Sequence, residues 1–277
     1  MSSKLVFGPA GDQWHYDKPT KTYDLTRGAA KAGAAFTMRT SQGIPGTSVT
    51  VEPNLCALVV VDMQNFFLHP SCRDHPNGLA AVEPTLRIIW LNWGLTDDDL
   101  AFMPAAVQRG FSRSLIISDP SSDPTQPVRA GLGADLGSGK GRCLVAGTWN
   151  AALYQPLAEE AQGPGLGVDV HCAKNRLSGM WSTEQPLYRY LEGREQDGDL
   201  VGEKGSLKRT LFFAGVNTDQ CVQATLVDAY NAGWDCVLLE DCCGTPTRWG
   251  KEVCLYNTAG SYGFVVDSQA FVAGKQG

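Results

Sequence analysis

Cys56-Ala-Leu-Val-Val-Val-Asp62 decides the fold. Six apolar residues, three of them valine, run without a break into an aspartate. A continuous run of this kind marks a strand buried on both faces, as in a parallel sheet. Outward from it, Ile88-Ile-Trp-Leu-Asn-Trp93 reads as a second strand and Leu115-Ile-Ile-Ser118 as a third candidate. Later strands are Leu211-Phe-Phe-Ala-Gly215, Cys236-Val-Leu-Leu-Glu240 and Gly263-Phe-Val-Val-Asp267. Helical patterns lie between them, a short one over 185–192 and a firmer one over 220–231. The second carries Val222, Leu226, Val227 and Tyr230 on one face, with Gly233 as its stop. Strands alternating with helices predict an α/β fold: a parallel sheet covered on both sides, three layers deep and Rossmann-like.

The remainder of the chain is consistent with one elaborated domain over 56–277, preceded by an arm over 1–55. That arm is polar, rich in Gly and Pro and without a sustained period, and it is expected to lie over the domain. Of the 277 residues, 43% are hydrophobic and 19% charged, enough apolar material for a large core. Lys and Arg number 23 against 29 Asp and Glu, a net charge of -6, so the basic footprint of a nucleic-acid or anionic-membrane binder is absent. No apolar run approaches the ~20 residues that span a bilayer. The N-terminal Met1-Ser-Ser-Lys-Leu-Val-Phe-Gly-Pro lacks the apolar stretch of a secretory signal. Nine cysteines, an odd count at irregular spacing, predict free thiols in a reducing compartment and a cytoplasmic protein. Cys56, Cys143, Cys236 and Cys254 sit among apolar neighbours and read as small buried hydrophobes.

In doubly wound α/β domains the chemistry sits at the carboxyl ends of the strands. The first strand ends in Asp62, an acid that is costly there unless something uses it; a helix N-cap is the alternative. The strand over 211–215 leads through a tight turn to Cys221, which opens a helix. Helix N-terminal N–H groups lower a thiol's pKa and can hold an oxyanion; the alternative is a core cysteine capped by Thr218 or Asp219. The alternating stretch Val168-Asp-Val-His-Cys172 leads to Lys174, which either enters a site or is solvated. Together, a carboxylate can take the thiol proton, a cation can balance the charge, and the thiolate can attack a carbonyl.

Four stretches carry a resemblance. They are Leu58-Val-Val-Val-Asp-Met-Gln-Asn-Phe-Phe67, Lys174-Asn-Arg-Leu-Ser-Gly-Met-Trp181, Gly215-Val-Asn-Thr-Asp-Gln-Cys-Val222 and the helix-strand unit over 225–241. The sequence resembles the isochorismatase-like cysteine hydrolases, a superfamily that includes nicotinamidases, carbamoylsarcosine amidohydrolases and isochorismatases. The likeness runs over about residues 56–272. It implies a six-stranded parallel sheet, Asp62 as general base, Lys174 as its charge partner and Cys221 as nucleophile. It further implies a cis bond between Val216 and Asn217, with the N–H groups of Asn217 and Cys221 facing an oxyanion. A homo-oligomer acting on a small molecule is implied by the resemblance alone.

The departures from the pattern are informative. Nicotinamidases carry an Asp/His metal cluster after the second strand, whereas this stretch reads Asn92-Trp-Gly-Leu-Thr-Asp-Asp-Asp-Leu100, and Asp97 to Asp99 read as a helix start. The four histidines, at 15, 69, 75 and 171, form no ligand spacing, so no metal or other cofactor is expected. Three readings stay open: an amide or related C–N hydrolase working through a Cys221 thioester, a vinyl-ether hydrolase using Asp62 with Cys221 a bystander, and an idle binding subunit. The connection from Phe67 to Ile88 is short for a crossover helix, which could span only about 79–87. The Gly-rich stretch between Asp119 and Arg142 reads as a surface loop covering the site; its Gly-x-Gly text lacks the flanking strand of a phosphate loop. Phe67, Asn92, Trp93 and Trp181 are the candidate pocket wall. Trp93 is preferred to Trp90, because alternate residues of a strand face opposite sides.

Overall fold

A computed structural model describes residues 3–28, 35–72, 86–118, 131–161, 169–194 and 208–276. Five strands come first: β1 (Lys4–Phe7), β2 (Trp14–Asp17), β3 (Thr22–Asp24), β4 (Phe36–Arg39) and β5 (Ser48–Val51). Six strands of the core follow: β6 (Cys56–Val61), β7 (Arg87–Trp93), β8 (Val170–Lys174), β9 (Thr210–Val216), β10 (Asp235–Gly244) and β11 (Phe264–Val266). The core strands pair in the order β11-β10-β9-β6-β7-β8, every pairing parallel. Counted within this sheet the order is third, second, first, fourth, fifth, sixth. The chain therefore reverses direction of travel between β6 and β9, which makes that boundary the switch point where α/β sheets open a crevice.

The two faces of the sheet bury different partners. Val59, Val61, Ile89, Leu91 and Phe213 face a core shared with helices α1 (Asn65–Leu68), α2 (Asp97–Ala101), α3 (Ala105–Ser118), α4 (Gln155–Glu160), α5 (Pro186–Leu191), α6 (Gln223–Asn231) and α7 (Gly250–Asn257). Cys56, Leu58, Phe212, Val237 and Leu239 face a second core with Leu25, Met38, Val49 and Val51 of the N-terminal segment and Phe271 of α8 (Ser268–Val272). β12 (Lys275–Gln276) joins β4, closing a second, mostly antiparallel sheet of order β1-β2-β3-β5-β4-β12. The N-terminal segment is thus a sheet laid on the parallel one. Its first five strands are three or four residues long, too short for a sustained run or period to betray them.

A buried ion pair fastens the two sheets. Arg27 reaches Asp235 at the start of β10, Nη1 to Oδ2 at 2.6 Å and Nη2 to Oδ1 at 2.8 Å. Trp14 Nε1 and Thr210 Oγ1 donate to the same carboxylate at 3.0 Å each, and Arg27 also pairs with Asp12. Such a pair is well satisfied, which is the condition under which buried charge is tolerated.

Two expectations need correction or placement. Leu115 to Ser118 is no strand; it is the last turn of α3. A short apolar run does not separate strand from buried helix, and here 105–114 continues it as helix. The proposed crossover helix over 79–87 falls almost wholly outside the described residues, as do 119–130 of the Gly-rich stretch. From Gly131 onward that stretch is a set of turns anchored by Leu132, which is wholly buried. No helix among the described residues is long and apolar enough to cross a membrane.

Candidate active site

Asp62 follows the last residue of β6 and adopts a left-handed backbone, φ 54°. Strict alternation after Val61 would send its side chain to the opposite face. The left-handed turn breaks that alternation, and the carboxylate meets Lys174 from the end of β8, Nζ to Oδ2 at 3.0 Å. Both side chains are fully buried. Lys174 Nζ also donates to Arg176 O at 3.2 Å and stands 4.1 Å from the centroid of the Trp93 ring.

Cys221 arrives from the other side of the switch point. Beyond β9 the Val216–Asn217 peptide is cis. Thr218–Val222 then forms a π-helical turn that runs into α6. Gly215, φ 118°, lets β9 pass close to β6: a Cβ there would stand 2.1 Å from Val61 O. The Cys221 thiol and the Asp62 carboxylate are near enough to shift one another's ionisation. The Cys221 carbonyl accepts from Thr225 Oγ1 at 2.7 Å, and the same hydroxyl accepts from Gly179 N–H at 3.2 Å. That link ties the start of α6 to the loop that follows Lys174.

Burial pushes the Asp62 carboxyl up from its ordinary range; the Lys174 charge and the hydrogen bonds to Cys221 and Lys174 pull it down without cancelling that effect. Burial likewise pushes the Cys221 thiol up to about 12, reinforced by the neighbouring negative charge of Asp62 and opposed by Lys174. The expectation of a thiol acidified by a helix N-terminus is therefore reversed. Desolvation and an adjacent carboxylate outweigh the end of a helix, whose dipole effect is about 1 kcal/mol. Burial thus favours the protonated Cys221 thiol over the thiolate.

The remaining pocket candidates are scattered. Trp93 belongs to the site, with 1% of its surface exposed. Phe67 is buried in the same core, edge-on to Phe66. Asn92 falls on the other side of β7 from Trp93, by the same alternation that removed Trp90. Trp181 is 46% exposed, its indole N–H donating to Asn175 Oδ1 at 3.1 Å with the Arg176 guanidinium over its ring. Asn217, nearly buried, stands at the head of the π-helical turn.

Sequence reasoning missed Gln64. It is wholly buried, donates from Nε2 to Trp93 O at 2.7 Å and to Ala151 O at 2.6 Å, and accepts the Trp93 N–H at Oε1 at 3.1 Å. A glutamine two residues past a strand-end acid was the available signal. Among the described residues no three His, Cys, Asp or Glu side chains group as metal ligands.

A parallel sheet with acid, amine and thiol gathered at its switch point defines a class of hydrolytic α/β proteins, and comparison supplies the family. The isochorismatase domain model matches residues 123–270. A ureidoacrylate amidohydrolase of Methylorubrum extorquens is 34% identical over 245 residues, covering 81% of this chain and 84% of that protein. The crystal structure of an isochorismatase family protein from Desulfovibrio vulgaris superposes with a TM-score of 0.50 at 18% identity, over 79% of this chain and 96% of that one, a likeness of fold. The chain belongs to the isochorismatase family and is a hydrolase of the isochorismatase-like superfamily.

Proposed function

We propose that the protein hydrolyses a small amide or ureido C–N bond through a thioester on Cys221. One observation carries the reading: a fully buried carboxylate, Asp62, paired with an ammonium at 3.0 Å, with the buried Cys221 thiol electrostatically coupled to both. Such a carboxylate has no packing purpose, and replacing a buried ion pair by apolar side chains is often neutral or stabilising. The 34% identical relative, named for its action on ureidoacrylate, supports the C–N bond as the target.

The proposed steps take Cys221 as a thiol and Asp62 as the carboxylate paired with Lys174. Asp62 takes the Cys221 proton as the sulfur attacks the carbonyl carbon. Lys174 stabilises the charges on either side of that transfer. The carbonyl oxygen becomes an oxyanion, for which the backbone N–H groups of Asn217 and Cys221 are the proposed donors. Collapse breaks the C–N bond, and the leaving amine takes the proton from Asp62. Water, deprotonated by Asp62, then cleaves the thioester and restores the thiol.

Purified protein is to be offered small amides, ureas, ureido acids and isochorismate, with product release followed. The turned-over compound is then given to Cys221→Ala and Cys221→Ser. Loss of turnover in the alanine variant, and an acyl adduct on Cys221 by mass spectrometry in the parent, are expected. Turnover that survives Cys221→Ala would instead point to an ether-type reaction at Asp62 alone.

A further inference from the structure

A second cavity opens where the N-terminal sheet meets the parallel one, and it shares no residue with the site of Asp62, Lys174 and Cys221. It is a cleft of about 320 Å³, at the lower end of the range of roughly 300–1,000 Å³ in which small-molecule sites are found. Two aromatic groups line it. The first is Trp14, Tyr23 and Phe264, with ring centroids 5.7 Å apart for Trp14 and Phe264 and 5.2 Å apart for Tyr23 and Phe264. The second is Tyr230, near the end of α6, and Tyr262, the last residue of the π-helical turn Thr258–Tyr262 that follows α7; their centroids stand 5.5 Å apart. None of the lining residues carries a charge. Thr47 also lines the cleft and is only 6% exposed. Its backbone bonds to Thr40 and Ile44, whereas its hydroxyl has no partner among the described residues.

We propose that this cleft is a binding site, separate from the catalytic centre, for a neutral, flat aromatic small molecule with a hydrogen-bonding group on its edge. Aromatic side chains reward a flat partner by stacking and edge-to-face contact, a gain that a saturated ring of equal size does not receive. A charged ligand would give up hydration here and meet no counter-charge. An edge N–H, O–H or carbonyl would satisfy the Thr47 hydroxyl, which is otherwise left unpaired. Thr47 and Phe264 keep 6% and 9% of their surfaces exposed, within reach of a small molecule and not of a protein face laid across the opening. The walls are fixed before a ligand arrives. Trp14 Nε1 is held by Asp235 at 3.0 Å, Gln42 Nε2 in the β4–β5 turn donates to Glu240 Oε2 at 3.0 Å, and the Ser41 N–H donates to Val265 O at 2.9 Å. Little ordering cost is therefore left to binding. The inference does not depend on the reaction proposed for Cys221.

The test is a titration of the full chain with 5-fluoroindole, followed by fluorine NMR. Binding to the parent is expected, weakened about tenfold or more in Gly260→Phe. Gly260 lines the cleft and a Cβ there meets nothing within 4 Å, so the added ring has the cleft itself to occupy. Thr47→Val, which removes the hydroxyl and keeps the shape, should weaken binding about threefold or more. In competition, 2-naphthol should displace the probe, and 2-naphthoate and decahydro-2-naphthol should each do so about tenfold less well. No binding to the parent in the millimolar range, parent-like binding to a folded Gly260→Phe, or decahydro-2-naphthol competing as well as 2-naphthol would each overturn the inference. Should Gly260→Phe lose the parent's circular dichroism spectrum, Thr47→Val and Tyr230→Ala decide: weaker binding by both supports the site, and parent affinity in either refutes it.

Discussion

Replacing Lys174 with methionine leaves the Asp62 carboxylate buried without its cation, and the penalty has a pH signature. At 3.0 Å and an effective dielectric of about 20, the Coulomb attraction is roughly 5–6 kcal/mol. Measured losses on removing one partner of a buried pair are about 3–5 kcal/mol, equivalent to about 2–4 units of carboxyl pKa at 1.36 kcal/mol per unit. The direction is fixed by the present balance. Burial already raises the Asp62 pKa, Lys174 lowers it, and the variant keeps only the first effect. A carboxyl whose folded pKa exceeds its unfolded value of about 3.9 makes the folded state bind the extra proton, so stability falls as pH rises between those two values. Parent and variant should both lose stability above about pH 4. The variant should go on losing about 1.4 kcal/mol per pH unit past the point where the parent levels off. Urea unfolding from pH 4 to 8 measures this, and the double variant Lys174→Met/Asp62→Asn should regain most of the loss. A deficit equal at both ends of the range, or one that Asp62→Asn does not relieve, would mean that lost packing and not an orphaned carboxylate is responsible.

Asp235→Ala should cost about 3–5 kcal/mol, because Arg27 keeps only Asp12 as a charge partner while Trp14 Nε1 and Thr210 Oγ1 lose their acceptor; it is read as a lower Tm and earlier proteolytic release of the N-terminal strands. Cys172 and Cys221 are each pushed by burial up to about 12. The folded state then keeps protons that the unfolded chain gives up above about pH 8.5, so this stability is whole below that pH and drains by about 1.4 kcal/mol per unit per thiol as pH rises; Cys172→Ala should flatten the urea-derived slope between pH 9 and 11. Gly215→Ala should destabilise by about 3 kcal/mol or more, seen as loss of folded yield by circular dichroism, because its Cβ would stand 2.1 Å from Val61 O at φ 118°.

The parallel sheet was legible because its strands are long unbroken apolar runs, and the site because each strand end carried one chemically conspicuous residue. Asp62, Lys174 and Cys221 could be listed from sequence; the ion pair of the first two is seen in the coordinates, and the role of the third is the proposal made above. What stayed hidden depends on three-dimensional surroundings. The N-terminal sheet is built of strands too short to show a period. The sign of the Cys221 shift is set by burial and by a carboxylate distant in the chain. Asn92 was misplaced because its nearness to a strand end was weighed above the side of the strand it occupies. Gln64 carries no reactive group, and its role in bracketing Trp93 emerges only from its three backbone partners.

β8 is the outermost strand among the described residues of the parallel sheet, paired on one side only, by β7. The acid and the sulfur hang from interior strands, whereas the amine rides on the rim. Rims fray before centres. On gentle heating the enzyme should therefore lose its ammonium, and with it its competence, while most of the molecule is still folded. Inactivation that runs ahead of melting would be the mark of a machine disarmed from its margin inward.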